Sequence, residues 1–195
     1  MPEAKGFRGF SRELHVTVFY RNLPHWRQEG ATYFVTFRMA DALPQSCLDE
    51  LTRIRCEWER QKQVDSSALE EAWKEIANAI TGKAESYLDS GHGSCLLRDK
   101  ENANIVEELM RRFDGERYDL GAYVVMPNHV HAVVKPLTEE LSKTLKAWKG
   151  VSARRINQQT STKLSHIWQD ESYDRIIRDP EHLYEVIRYI GANPK

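Results

Sequence analysis

Three patterns in the 195-residue sequence predict an α+β domain. Aromatic and β-branched residues alternate over Thr32–Arg38 (TYFVTFR) in the manner of a strand. Two more strand-like runs, Tyr118–Met126 and His129–Lys135, are separated only by Pro127–Asn128, which makes their connection tight and antiparallel. Elsewhere apolar residues recur at helical spacing.

Taken in order, Tyr20–Gly30 reads as a loop, with Asn22, Pro24 and Gly30 as its breakers. Gln45 to about Gln63 carries Leu48, Leu51, Ile54 and Trp58 on a helical stripe, and about Ser67 to Ile80 carries Leu69, Trp73, Ile76 and Ile80. Tyr87–Arg98 is rich in turn residues, and Asn104–Phe113 reads as a third helix. Beyond the strand pair, Leu141–Ile156 is an amphipathic helix with Leu141, Leu145, Trp148 and Ile156 on one side. A short strand is expected near Ile176–Ile177. Pro180 then opens a final helix, where its fixed φ helps and its missing N–H costs nothing. That helix should bury Leu183, Val186, Ile187 and Ile190 and stop around Gly191–Pro194. The order strand, helices, strand, strand, helix, strand, helix fits a ferredoxin-like antiparallel sheet with flanking helices and a helical insertion at about 64–116. The whole chain, 1–195, is read as one domain.

With 41% apolar and 29% charged residues, the composition is that of an ordinary globular protein. No apolar run approaches membrane-spanning length and the N-terminus lacks an apolar signal core, so a cytoplasmic protein is expected. Three cysteines without metal spacing suit free thiols, with Cys47 and Cys56 read as packing residues. His92 and Cys95 lie near each other but form no constellation. The net charge of −1 argues against coating nucleic acid by bulk electrostatics. Its distribution is uneven, however. Glu139–Lys163 has six basic residues against two acidic, whereas Gln45–Glu116 has a net of −6, so a polyanion would be bound on one side only.

The chemistry-bearing residues lie in the second half. His129 and His131, two apart on a strand, project from one face. Burying such a pair is costly without a partner, and a divalent cation is one candidate. By itself the spacing also suits hydrogen-bonded or surface histidine. On the last helix, His182, Tyr189 and Asn193 share a stripe at the edge of the apolar face, with Tyr184 on the opposite flank. Lys143, Lys146 and Lys149 recur every third residue and could contact phosphates, positioning DNA without reading its sequence. Tyr20, Arg21, His25 and Trp26 offer stacking and bidentate groups for unpaired bases.

Four ordered segments resemble the single-tyrosine HUH transposases. Val124–His131 (VVMPNHVH) resembles the HUH motif and Gly30–Arg38 the first strand. His166–Arg175 (HIWQDESYDR) is similar to the entry into the last strand, and Arg178–Pro194 to the terminal catalytic helix. Within that group the chain is most similar to the REP-associated tyrosine transposases, from about Tyr20 onward and least in the helical insertion. The resemblance implies an HUH endonuclease that nicks single-stranded DNA beside a hairpin and rejoins it through a 5′-phosphotyrosine. Tyr189, in a Tyr-Ile-x-x-Asn-Pro ending, matches the nucleophile. His129 and His131 match the metal ligands, and Asn193 the position that supplies a third. The implied cofactor is Mg²⁺ or Mn²⁺, and the implied partner a DNA hairpin with an adjacent single strand. Monomer and homodimer both stay open. Family members usually continue past the Asn-Pro, whereas this sequence stops at Lys195.

Two other classes compete. A catalytically silent regulator would bind the hairpin without cutting, although it need not keep His129, His131 and Tyr189 together. A small metallohydrolase would want more acidic or histidine ligands near the pair.

Overall fold

The computed structural model describes residues 6–20, 24–62, 82–160 and 165–193. Arg21, the helix expected over Ser67–Ile80, Lys163 and Pro194 lie outside the described residues. The chain divides into two compact units, residues 1–40 with 96–195, and residues 41–95.

The first unit is α+β. Its strands are β1 (Thr17–Tyr20), β2 (Pro24–Arg27), β3 (Tyr33–Arg38), β4 (Tyr118–Val125), β5 (His129–Pro136) and β6 (Tyr173–Ile176). Four of them form an antiparallel sheet in the order β4-β5-β3-β6. Numbered one to four along the chain, these strands stand as 4-1-3-2 across the sheet, the ferredoxin-like arrangement. Where a loop was expected over Tyr20–Gly30, β1 and β2 form a small antiparallel hairpin. Its eight residues alternate too briefly to stand out from a loop by pattern alone.

The helices of this unit are α3 (Lys100–Arg111), α4 (Leu141–Gln159) and α5 (Pro180–Ala192). Each face of the sheet has its own core. On one side Phe37 lies against Trp148 of α4 and Trp168, with ring centroids 6.2 and 5.0 Å away. The polar edges of these rings are matched. Trp148 donates to the Tyr118 hydroxyl (3.0 Å), Tyr118 donates to the Met110 carbonyl (2.8 Å), and Trp168 donates to Ser152 Oγ (2.9 Å). Such pairing lets large rings be buried without stranding a donor. On the other side Phe34, Val133 and Ile177 pack with Leu183, Val186 and Ile190 of α5. Ile187, expected on that buried face, is instead 39% exposed. The α5 residues in that core are Leu183, Val186 and Ile190, so the face covered is narrower than the apolar stripe.

α5 begins as its sequence predicts. The Asp179 carboxylate accepts from the His182 N–H at 2.7 Å, with Pro180 in the first turn. In β4 the register shifts between Leu120 and Tyr123, and Gly121 permits it, since a Cβ there would lie 3.1 Å from the Val133 side chain.

The second unit contains α1 (Gln45–Lys62) and α2, described over residues 82–89. Lys83 pairs with Glu50, and the Asp41 carboxylate accepts from the Ser94 N–H. Gly93, at φ +87°, brings its backbone against the Asp41 carbonyl, where a side chain could not fit. All three cysteines are free; Cys47 is buried as expected, but Cys56 is exposed. Among the described residues no helix is long and apolar enough to cross a membrane.

Candidate active site

β5 is an inner strand, and His129 and His131 project from its α5 side. Both are completely buried, and their Nε2 atoms stand 3.0 Å apart. The outer nitrogen of each ring is held. Asn128, in the tight turn that enters β5, accepts at Oδ1 from His129 Nδ1 (2.7 Å). Thr36, directly across from His131 in β3, places Oγ1 2.8 Å from His131 Nδ1. The turn itself is anchored, since the Asn128 carbonyl accepts from the Met39 N–H and the Pro127 carbonyl from the Leu97 N–H. The rings are thereby fixed with both Nε2 atoms aimed at one place. Two lone pairs this close repel unless something electron-poor lies between them, a proton or a cation.

Burial holds both imidazoles neutral. It lowers His129 to about 4, and burial together with the neighbouring His129 lowers His131 to about 3. Neutral imidazole is the ligating form, and 3.0 Å is a separation that two adjacent ligands span at metal–nitrogen bonds of about 2.1 Å. The donor set therefore fits a small divalent ion. Among the described residues no group of three or more His, Cys, Asp or Glu is arranged to hold a metal.

α5 brings the tyrosine. The Tyr189 hydroxyl lies 3.2 Å from His131 Nε2, and its ring meets that imidazole edge-on at 5.1 Å. Phe34 supports both, stacked on His131 at 5.4 Å and T-shaped to Tyr189 at 6.2 Å. Tyr184 is 43% exposed on the outer flank. Asn193 caps α5, its N–H donating to the Ile190 carbonyl (3.3 Å); its side-chain nitrogen is buried without a hydrogen-bond partner among the described residues.

The expected DNA contacts fare differently. Lys143 and Lys146 line a cleft of about 780 Å³ on the opposite face of the sheet, with Arg27, His166 and Trp168. Lys149 lines it too, but its ammonium donates to the carbonyls of Gln169 (3.0 Å) and Asp170 (2.7 Å) and so braces the wall. His25 does not present itself to bases: it is buried between Asp174 (2.7 Å) and Glu171 (3.0 Å). Trp26 is 41% exposed. Sequence reasoning missed Thr36 and Asn128 as partners of the histidines. Thr36 looked like any strand residue until the register set it opposite His131, whereas Asn128 stood beside the motif in plain view.

Comparison with known proteins gives the chain's family. Residues 96–193, just over half the sequence, match the family described as IS200-like transposases, and the chain belongs to that family. Among solved structures the chain is similar to a REP-associated tyrosine transposase bound to a REP hairpin. That match has a TM-score of 0.52 and 15% identity, and covers 90% of this chain and 72% of that one. It is also similar, with a TM-score of 0.36 and 15% identity over 82% of this chain and 88% of the other, to a protein proposed to be a transposase from Deinococcus radiodurans R1. No curated protein sequence matches the chain.

Proposed function

We propose that the protein is an HUH-type enzyme that nicks and rejoins single-stranded DNA through Tyr189. The observation that carries this reading is the convergence of Tyr189 Oη on His131 Nε2, which itself faces His129 Nε2. Membership of the IS200-like transposases supports it. The hairpin bound by the REP-associated transposase of similar fold suggests the substrate, a DNA hairpin beside an unpaired strand.

Mg²⁺ or Mn²⁺, held by His129, His131 and the Asn193 side-chain oxygen, would polarise the scissile phosphate as a Lewis acid. The protein's own residues do the rest. Tyr189 Oη gives up its proton to solvent and attacks phosphorus, a P–Oη bond forms and the P–O3′ bond breaks. The tyrosine ends as a 5′-phosphotyrosine, and the leaving oxygen takes up a proton to become a 3′-hydroxyl. The phosphoester bond is exchanged rather than hydrolysed, so a 3′-hydroxyl can reverse the step or complete strand transfer. Thr36 and Asn128 keep the imidazoles oriented throughout. Lys143 and Lys146 would hold hairpin phosphates on the far face, with Lys149 contributing charge from the cleft wall. The whole chain would then act as one cytoplasmic HUH unit carrying an inserted segment.

A hairpin-binding regulator without chemistry has no need for a tyrosine hydroxyl against a paired-histidine site. Incubation with labelled single-stranded oligonucleotides from inverted repeats beside the gene, with Mn²⁺, separates the two readings. A covalent protein–DNA adduct is expected; binding without adduct or nick would favour the regulator.

A further inference from the structure

Beside the histidine pair and Tyr189, the α5 face of the sheet carries one further side chain suited to a polyanion. Arg175 lies on the same face. It stands directly opposite Phe34 in the β3–β6 register, so both side chains leave the sheet on the α5 side. Its guanidinium carbon is 6.0 Å from the centre of the Phe34 ring, the ring that also contacts His131 and Tyr189. Among the described residues Arg175 has no ion pair, and its Nε is buried without a hydrogen-bond partner. A buried donor left without an acceptor is costly, and one persists where a ligand supplies the acceptor. The neighbouring His182 registers the same field. Burial, then the charges of Arg175 and Arg178, hold it below its ordinary value against the weaker pull of Asp179 and Glu185.

We propose that Arg175 is a substrate-binding residue, a seat for a DNA backbone phosphate on the same strand as the linkage that Tyr189 attacks. A guanidinium suits this task because its fixed fork matches phosphate oxygens and it stays charged at any working pH. The seat lies on the catalytic face, whereas Lys143 and Lys146 lie on the other. The two sets therefore grip different parts of the DNA, the seat taking the single strand.

This inference rests on the proposed nicking function, and the test distinguishes the two. The probe is fluorescent oligothymidine of 20 nucleotides, which has no hairpin, titrated in a series of salt concentrations. Wild type, Arg175→Gln, Arg175→Lys and the exposed control Lys100→Gln are compared. Arg175→Gln should weaken binding about 3- to 10-fold at low salt and make the log–log salt dependence shallower by about 0.7, the value for one lost phosphate contact on a single strand. Arg175→Lys should keep the slope, and Lys100→Gln should match wild type. Phenylglyoxal labelling of the wild type, read by mass spectrometry, gives an answer independent of how the variants fold: oligothymidine should protect Arg175. Wild-type affinity and slope for Arg175→Gln, or labelling unchanged by the oligonucleotide, overturns the seat and leaves the nicking function standing. A wild type that binds no oligothymidine at any salt also overturns the seat, because the single strand then has no grip of its own; the nicking function is judged separately, by the covalent adduct on hairpin DNA.

Discussion

At the scale of single residues, the Tyr189 hydroxyl separates chemistry from packing. Tyr189→Phe keeps the ring against Phe34 and His131 and loses the 3.2 Å hydrogen bond to His131, a cost to stability of about 1 kcal/mol. Such a variant should fold and bind DNA yet form no covalent adduct on a denaturing gel, while Tyr184→Phe on the exposed flank should behave as wild type. An adduct that survives in Tyr189→Phe would assign the nucleophile elsewhere. Thr36→Val tests orientation in the same way. It preserves shape but strands the buried His131 Nδ1, which should lower stability by about 1–3 kcal/mol. It should also weaken Mn²⁺ binding, read by calorimetry, by about 10- to 100-fold, as loss of an orienting partner does. Thr36→Ser should restore the affinity. Equal Mn²⁺ affinity in wild type and Thr36→Val would mean that the hydroxyl only fills space.

At the scale of elements, the β1–β2 hairpin is held to β6 by charge. Asp174 is buried on β6. Burial alone would raise its carboxyl, but hydrogen bonds from His25 and Arg27 of β2 hold it below the usual range. In return the Asp174 and Glu171 hydrogen bonds lift His25 to about 9. A raised histidine adds stability that is fully present below its unfolded value of 6.5 and disappears as pH rises through 9. At about 1.4 kcal/mol per pH unit, roughly 3 kcal/mol is at stake. The histidine pair on β5 works in the opposite sense. Its rings stay neutral down to about 4 and about 3, whereas unfolded histidines take up protons below 6.5, so acid favours unfolding. Melting temperature of the metal-free protein should therefore peak near pH 6.5 and fall on both sides. His25→Gln should flatten the alkaline limb and leave the acid limb in place; a limb unchanged by that substitution would place the alkaline loss elsewhere.

For the whole molecule, the proposed division of labour puts phosphate contacts on side chains and the chemistry at the histidine pair. Chelation should then abolish nicking while hairpin affinity, measured by mobility shift, stays within about threefold, because Lys143 and Lys146 need no ion to bind phosphate. Parallel loss of binding and nicking would instead make the ion a structural part of the DNA surface. Raising the salt should have the converse effect, weakening binding steeply before it affects the chemistry of bound DNA.

Much of this was legible in the sequence because it depends on local rules. The period-two run at Tyr33–Arg38, the Pro127–Asn128 turn, the proline at the start of α5 and the common face of His129 and His131 all follow from backbone geometry over a few residues. The sequence also singled out Tyr189 over Tyr184, since 100° per residue sets them on opposite flanks. Tertiary structure decided the rest, through contacts between residues far apart in the chain. Only strand register set Thr36 against His131 and Arg175 against Phe34, 95 and 141 positions away. Only packing turned His25 from a candidate base reader into a buried ion-pair partner of Asp174, and tied Lys149 to the loop at Gln169. Ile187 and Cys56 were misjudged for the same reason. Periodicity says which residues share a face, but the breadth of that face covered by a neighbouring element is set by the neighbour.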